Sequence, residues 1–355
     1  MTVARTAADP LLPDRAGTLG QRLRAALISA ASAIACRLPE PPLVRLAEAA
    51  GEAWYILDPR RAARGRRNLR RVCAWLAAEG LGPERARRAA TDDRALVALT
   101  RAASRHHARY YLEVLRAPAL TAHAVTDRLS LDEPAAVDGM LAAPGALIVV
   151  GMHFGALEVP AVYLADRVRR PAVAPMETLA DPPLQRWFER TRGGVGVHLV
   201  PIAAARRELL AALERGEIAG LIADRDIGGG GIPVPLFGHP APLPIGAALL
   251  VMESGAPAIV AAVRRLGGGR YRARIVRLEP IADGPRRERV TAFLTAQAAA
   301  FQGLIADAPD QWWAAFFPIW PDLEAGGSGG SRPNGGGGRP DGGRSRPTGE
   351  RSPGS

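Results

Sequence analysis

Ala146-Leu-Ile-Val-Val-Gly-Met-His-Phe-Gly-Ala-Leu-Glu158 opens with five apolar residues, rich in β-branched types, and breaks at Gly151. A run of that kind, closed by glycine, reads as a fully buried strand. His153 then stands past the strand's carboxyl end, the edge of an open α/β sheet where ligands and reacting groups gather. His153 and Glu158 are five apart. On one ideal helix they would point roughly 140° from each other, so they converge only if His153 sits in the turn and Glu158 one turn inside a following helix. An imidazole beside a carboxylate can take a proton from an alcohol near neutral pH, the carboxylate fixing the tautomer and stabilising the imidazolium. No Ser or Cys nucleophile stands beside this pair. A helix-terminal His with a solvated Glu is the plainer reading of the same spacing.

Outward from this stretch, strands alternate with helices from Pro134 on. Strands are expected at Ala146–Val150, Pro171–Pro175, Val197–Ile202, Ile218–Ala223, Ala258–Arg264 and Tyr271–Leu278. The last follows the Gly267-Gly-Gly269 turn and reads as an antiparallel edge hairpin. Helices are expected at Pro182–Arg192, Ala203–Arg215 and Thr291–Ala306. Such alternation argues for an α/β fold, a mostly parallel or mixed central sheet flanked by helices, with an N-terminal helical part ahead of it. In that part Pro59–Arg88 and Ala98–Leu115 read as helical, the second with Tyr110, Tyr111 and Leu112 toward its buried side. His106 and His107, being adjacent, fall on different faces and are placed at the surface or partly buried. The organisation expected is a disordered N-terminus over 1–20, a helical, basic, membrane-facing part over 21–133, an α/β core over 134–321 and a disordered Gly-, Pro- and Arg-rich tail over 322–355.

The charge is uneven. All 46 basic residues are Arg and the net charge is +11. Fourteen Arg between Arg60 and Arg109 face only Glu79, Glu84, Asp92 and Asp93, +10 in fifty residues. Such a face suits an anionic membrane surface; without interleaved aromatics or a recognition motif, nucleic acid is not expected. The longest uncharged run near the N-terminus, Ala25–Cys36, is too short to cross a bilayer, which takes about twenty residues. It reads either as an amphipathic helix in the membrane interface or as a helix packed on the core. No small-residue cleavage site follows it, so no signal peptide is expected. Cys36 and Cys73 read as reduced core residues. His123, His198 and His239 lack partners at metal-binding spacing, so no metal is expected.

Asp224 ends the Ile218–Ala223 strand and reaches the same sheet edge as His153, so either Glu158 or Asp224 can orient the imidazole. Gly228–Gly231 lacks the Gly-Lys-Ser/Thr of a nucleotide loop and reads as a flexible loop beside a substrate. Arg190, Arg192 and Arg225 are candidates for gripping phosphate.

His153-Phe-Gly-Ala-Leu-Glu158 resembles the His-x4-Asp/Glu motif of the bacterial lysophospholipid acyltransferase-like family, in the branch holding the lipid A late acyltransferases and the phosphatidylinositol mannoside acyltransferases. The block Ala223–Gly238, with Pro244-Ile-Gly246 and Ser254-Gly-Ala-Pro257, is similar to the same family, and Pro309-Asp-Gln-Trp312 resembles its closing segment. The resemblance runs from about Arg22 to Pro321. It implies a glycerol-3-phosphate acyltransferase-like fold and transfer of a fatty acyl group, from acyl-CoA or acyl carrier protein, to a sugar hydroxyl of a membrane glycolipid. A phosphatidylinositol mannoside is the acceptor it favours; lauroyl or myristoyl transfer to a lipid A precursor is the alternative. It puts His153, Glu158 and Asp224 in catalytic positions, and Arg190, Arg192, Arg225, Gly228, Gly229, Phe237 and Gly238 toward substrate. No cofactor is implied beyond the acyl donor, and the expected place is peripheral, on the cytoplasmic face of the cell membrane. Rival classes are a hydrolase using the same histidine on water and a non-catalytic basic protein binding membranes or nucleic acid.

Overall fold

The structure, a computed structural model, describes residues 17–168, 170–194, 196–280 and 283–325. Its centre is a seven-stranded sheet in the order β1 (Leu129–Leu131), β9 (Tyr271–Leu278), β8 (Ala258–Arg265), β2 (Leu147–Gly151), β5 (Ile218–Ile222), β3 (Ala172–Met176), β4 (Val197–Pro201). All neighbours are parallel except β8 and β9, which form the expected hairpin. That hairpin is not an edge: Leu129–Leu131, three residues without a readable period, pairs in parallel outside it. β2 is buried over its whole length. Ile148 and Val150 point into one apolar cluster and Leu147 and Val149 into another, which is why the run is continuously apolar instead of alternating.

A separate two-stranded hairpin, β6 (Ile232–Leu236) and β7 (His239–Leu243), was not legible because its five-residue strands carry four prolines. The register explains how they are tolerated. Pro233 faces Pro242 and Pro235 faces Pro240, so prolines share the alternate pairs that exchange no ladder hydrogen bond and the N–H-bearing residues fill the others. The two-residue turn is Phe237-Gly238, with φ of 50° and 74°, the positive pair that a type I′ turn requires.

Helices α1 (Leu19–Arg37), α2 (Glu40–Leu57), α3 (Pro59–Ala78), α4 (Glu84–Arg88) and α5 (Asp93–Arg116) form the N-terminal part. Then come α6 (Ala122–Thr126), α7 (Pro134–Ala142), α8 (Val159–Val168), α9 (Pro182–Gly193), α10 (Ala205–Glu214), α11 (Gly246–Ser254), α12 (Arg286–Ala306) and α13 (Pro321–Ala325). The last of these replaces the start of the expected tail; the rest of the tail, and 1–16, lie outside the described residues. No helix among the described residues is long and apolar enough to cross a membrane.

The Arg60–Arg109 face is not the open cationic surface that local counting suggested. Arg64 and Arg67 meet Glu324, Arg71 meets Asp322 and Arg85 meets Asp310, all on the C-terminal segment. Arg101 and Arg105 meet Glu52 and Arg109 meets Glu48, both on α2, while Arg70 meets Asp93. Eight of the fourteen are thus paired, seven of them with acids distant in sequence.

His107 also departs from expectation. It is 1% exposed, and its Nδ1 lies 2.7 Å from Arg61 Nη2. A guanidinium only donates, so Nδ1 accepts and the proton sits on Nε2. Arg61 is itself buried, between the rings of Trp54 and Phe316 at 3.6 and 3.8 Å. Burial, reinforced by Arg61, pushes His107 down to about 3. Burial and then Arg265 push the neighbouring His106 well below the usual imidazole range. Unfolded imidazoles take up protons below about pH 6.5 while these do not, so the unfolded state binds more protons and stability falls as pH drops below that value. By pH 5 the loss is on the order of 2 kcal/mol per histidine. His107→Gln keeps an acceptor for Arg61 without a titrating ring, and is expected to lose about half of the pH 7 to pH 5 decline in denaturant stability. An unchanged decline would mean that His107 is charged when folded.

Candidate active site

β2 and β5 are paired so that Gly151 lies opposite Ile222. His153 and Asp224, each two residues farther on, therefore leave the sheet side by side. Asp224 Oδ1 is 2.6 Å from His153 Nδ1, and Asp224 Oδ2 accepts the His153 backbone N–H at 2.9 Å and the Trp312 indole N–H at 2.9 Å. The carboxylate is 1% exposed. Burial alone would raise its pKa, but the imidazole and the N–H donors outweigh that and hold it below the ordinary value. An ionised carboxylate accepts only, so Nδ1 carries the proton and the Nε2 lone pair is free. Among the described residues, Asp224 hydrogen-bonds the imidazole and the Trp313 and Phe317 rings lie against it; none is a Ser or Cys nucleophile.

The turn after β2 is clamped by the aromatic C-terminal segment. Trp313 N–H donates to His153 O at 3.0 Å and Gly155 N–H donates to Gln311 O at 3.0 Å. Phe154 bridges Trp312, and the Gln311 side chain bonds both the N–H and the C=O of Arg265. The sequence marks Trp312 through the resemblance of Pro309-Asp-Gln-Trp312 to the family's closing segment; its role in holding Asp224 has no local signal.

Glu158 does not reach the histidine. It precedes α8 instead of sitting one turn inside it, because residues 152–158 form an extended bend. It is 5% exposed and takes a hydrogen bond from Arg192 Nη2 at 3.0 Å; the same nitrogen donates to Tyr110 OH at 3.2 Å. Burial, with Glu158 adding to it, pushes the Tyr110 hydroxyl up to about 12, so it stays protonated. Arg192 is held charged: Glu158 and Tyr110 outweigh the burial that would lower it.

A family model described as bacterial lipid A biosynthesis acyltransferase matches residues 21–315. The chain belongs to that acyltransferase family. Among curated proteins it is similar to "Phosphatidylinositol mannoside acyltransferase" of Mycolicibacterium smegmatis, 28% identical over 218 residues, covering 60% of this chain and 70% of the relative. Proteins of the same name from two strains of Mycobacterium tuberculosis are 27% and 28% identical over 159 residues, covering 42% of this chain and 49% of theirs.

In this member of the lipid A biosynthesis acyltransferase family the other expected substrate residues separate. Arg225 lies over the Phe317 ring at 4.0 Å; its Nε is buried without a hydrogen-bond partner and no carboxylate is recorded against it among the described residues. Arg190, two residues from Arg192 on α9, faces away from Glu158 into a cavity of about 370 Å³ shared with Ser29, Pro118 and Trp187. Gly228 and Gly229 lie in an exposed loop tied by Asp226, whose carboxylate accepts Gly229 N–H at 3.0 Å and Gly231 N–H at 2.8 Å. Phe237 and Gly238 make the β6–β7 turn, with the Phe237 ring buried among Trp75, Trp312 and Trp320 and Gly238 exposed.

Proposed function

We propose that this protein moves a fatty acyl group from a thioester donor, acyl-CoA or acyl carrier protein, to a sugar hydroxyl of a membrane glycolipid, with a phosphatidylinositol mannoside as the first acceptor to test. The observation that carries this reading is the buried His153–Asp224 pair, with Nε2 free and, among the described residues, no enzyme nucleophile beside it. The acceptor hydroxyl gives its proton to His153 Nε2 as its oxygen attacks the thioester carbonyl. Asp224, saturated by three donors, stays ionised and stabilises the imidazolium. Collapse of the tetrahedral intermediate breaks the C–S bond, and the imidazolium returns the proton to the departing sulfur. No acyl-enzyme forms. Arg225, a cation without a carboxylate partner among the described residues, is the residue proposed to hold phosphate of donor or acceptor; Arg192 and Glu158 brace the wall beside the dyad. The names of the mycobacterial relatives support the acceptor class, and the location proposed with it is peripheral, on the cytoplasmic face of the cell membrane.

Incubation with labelled palmitoyl-CoA and a total lipid extract tests this. Labelled glycolipid is the expected product. Labelled free fatty acid would make the protein a hydrolase, and neither product would leave a non-catalytic binding protein.

A further inference from the structure

Asp224 fixes one corner of the His153 ring and leaves its tilt open. The carboxylate bonds Nδ1 and the backbone N–H, but a ring on two torsions, tied at one of its atoms, can still rock about that bond, and Nε2 moves with it. Trp313 closes that freedom. Its indole meets the imidazole edge-on, with centroids 4.7 Å apart and planes at 74°, an arrangement that aromatic pairs favour. Its backbone N–H donates to His153 O at 3.0 Å, so indole and imidazole are set from one joint. Flat against the indole lie His107, at 4.7 Å and 23°, and Tyr110, at 4.4 Å and 26°. These two are three residues apart on α5 and share a face of it. The Phe317 ring stands farther from the imidazole, at 6.4 Å, and is partly exposed.

Both supports are themselves tied. His107 is bonded through Nδ1 to Arg61, which is held between the rings of Trp54 and Phe316. The Tyr110 hydroxyl accepts from Arg192, and the same nitrogen of Arg192 donates to Glu158. The arrangement carries a cost. Trp313 Nε1 and His107 Nε2 are buried with no hydrogen-bond partner among the described residues, whereas the N–H of a buried Trp ordinarily finds one. A phenyl ring would leave no orphaned donor at position 313. What the indole supplies instead is breadth, a rigid surface wide enough to rest on both His107 and Tyr110 and still reach His153.

We propose that Trp313 is a positioning residue for acyl transfer, its indole fixing the plane of the His153 ring so that Nε2 faces the acceptor hydroxyl, and that His107 and Tyr110 act through it. Asp224 sets which nitrogen carries the proton; Trp313 sets where the other nitrogen points. The inference rests on the reading of His153 as the base. It also gives Glu158 a task although it does not touch the histidine: through Arg192 and Tyr110 it stiffens the plate on which the imidazole leans.

The test compares the full chain with Trp313→Leu, Trp313→Phe and Phe293→Leu, the last a destabilised control buried on α12. Steady-state transfer from palmitoyl-CoA to phosphatidylinositol mannoside is measured beside the NMR spectrum of protein labelled with ¹⁵N at histidine. Trp313→Leu is expected to lower kcat by about 10²-fold, the loss that a misplacement of about 1 Å brings, with KM for either substrate changed by less than about threefold. Trp313→Phe, flat but narrower, is expected to lose about five- to tenfold in kcat, and Phe293→Leu to lose stability and keep kcat. Wild type is expected to show one sharp His153 Nδ1–H resonance, assigned by its disappearance in His153→Ala, that broadens or splits in Trp313→Leu. Tyr110→Leu is expected to lower kcat in the wild-type background and to add little to Trp313→Phe; losses that multiply would overturn the claim that Tyr110 acts through the indole. Wild-type kcat in either folded Trp313 variant, or a loss carried by KM alone, would overturn the proposal, and Trp313→Phe decides if Trp313→Leu does not fold. Absence of glycolipid product from wild type would instead sink the acyl-transfer reading. The resonance then decides the positioning by itself, and an equally sharp signal in wild type and the Trp313 variants would overturn it.

Discussion

Asp224→Asn is expected to lower acyl transfer by roughly 10³-fold or more while leaving the fold intact, an effect out of proportion to the exchange of one oxygen for an NH₂. The geometry forces the outcome. In the native site both the His153 backbone N–H and the Trp312 indole N–H donate to Oδ2. The asparagine carbonyl must take that place, since two donors cannot face an NH₂ group. The amide nitrogen then faces His153 Nδ1, and because it only donates, Nδ1 must become the acceptor. The ring proton moves to Nε2, and the atom that should take a proton from the acceptor hydroxyl already carries one. The variant's steady-state rate, set beside its melting temperature, checks this. A loss of less than about tenfold in a folded variant would show that Asp224 does not set the tautomer.

Gly155→Ala is expected to be the most damaging single substitution in the turn, costing at least about 3 kcal/mol and leaving the chain hard to obtain folded. Gly155 has φ of 53°, and a methyl group there would stand 1.9 Å from Val263 O. The neighbours cannot yield, because the same carbonyl accepts the Ala156 N–H at 2.9 Å while Gly155 N–H is bound to Gln311 O. This bend sits between His153 and Glu158 and gives each its own direction, one toward Asp224 and the other toward Arg192. Denaturant unfolding checks the effect; a midpoint equal to that of wild type would mean that the turn relaxes at little cost.

The same bend shows where sequence reading stops. The buried strand, its glycine and the histidine past its end were legible because a continuous apolar run has one simple explanation in an α/β chain, and the strand and helix spans that follow agree with the structure to within a few residues. The choice between Glu158 and Asp224 was not legible. It depends on which strand lies beside β2 and in what register, facts set by packing across seventy residues. The reading of the Arg60–Arg109 segment failed for a related reason. Charge was counted along the chain, whereas the compensating carboxylates come from α2, Asp310 and α13 through tertiary contact. Sequence puts His107 at the surface or partly buried because a polar residue in an Arg-rich helix suggests water, yet its ring is enclosed by Trp54, Tyr111, Trp313 and Phe316. The proline-bearing hairpin stayed hidden because Pro is read as a strand breaker, and only the pairing of proline with proline removes the conflict.

The claim at the centre of this account is that His153 is the base of a direct transfer. The measurement that tests it most directly is single-turnover transfer from labelled acyl-CoA to glycolipid acceptor by wild type and by His153→Ala, run side by side with their unfolding curves. The account predicts labelled glycolipid from wild type, transfer at the uncatalysed background from the variant, and a variant that still unfolds cooperatively, at a lower midpoint because the buried Asp224 Oδ1 loses its donor while Trp312 and Trp313 still brace the site. Transfer by a folded His153→Ala at near wild-type rate would contradict it.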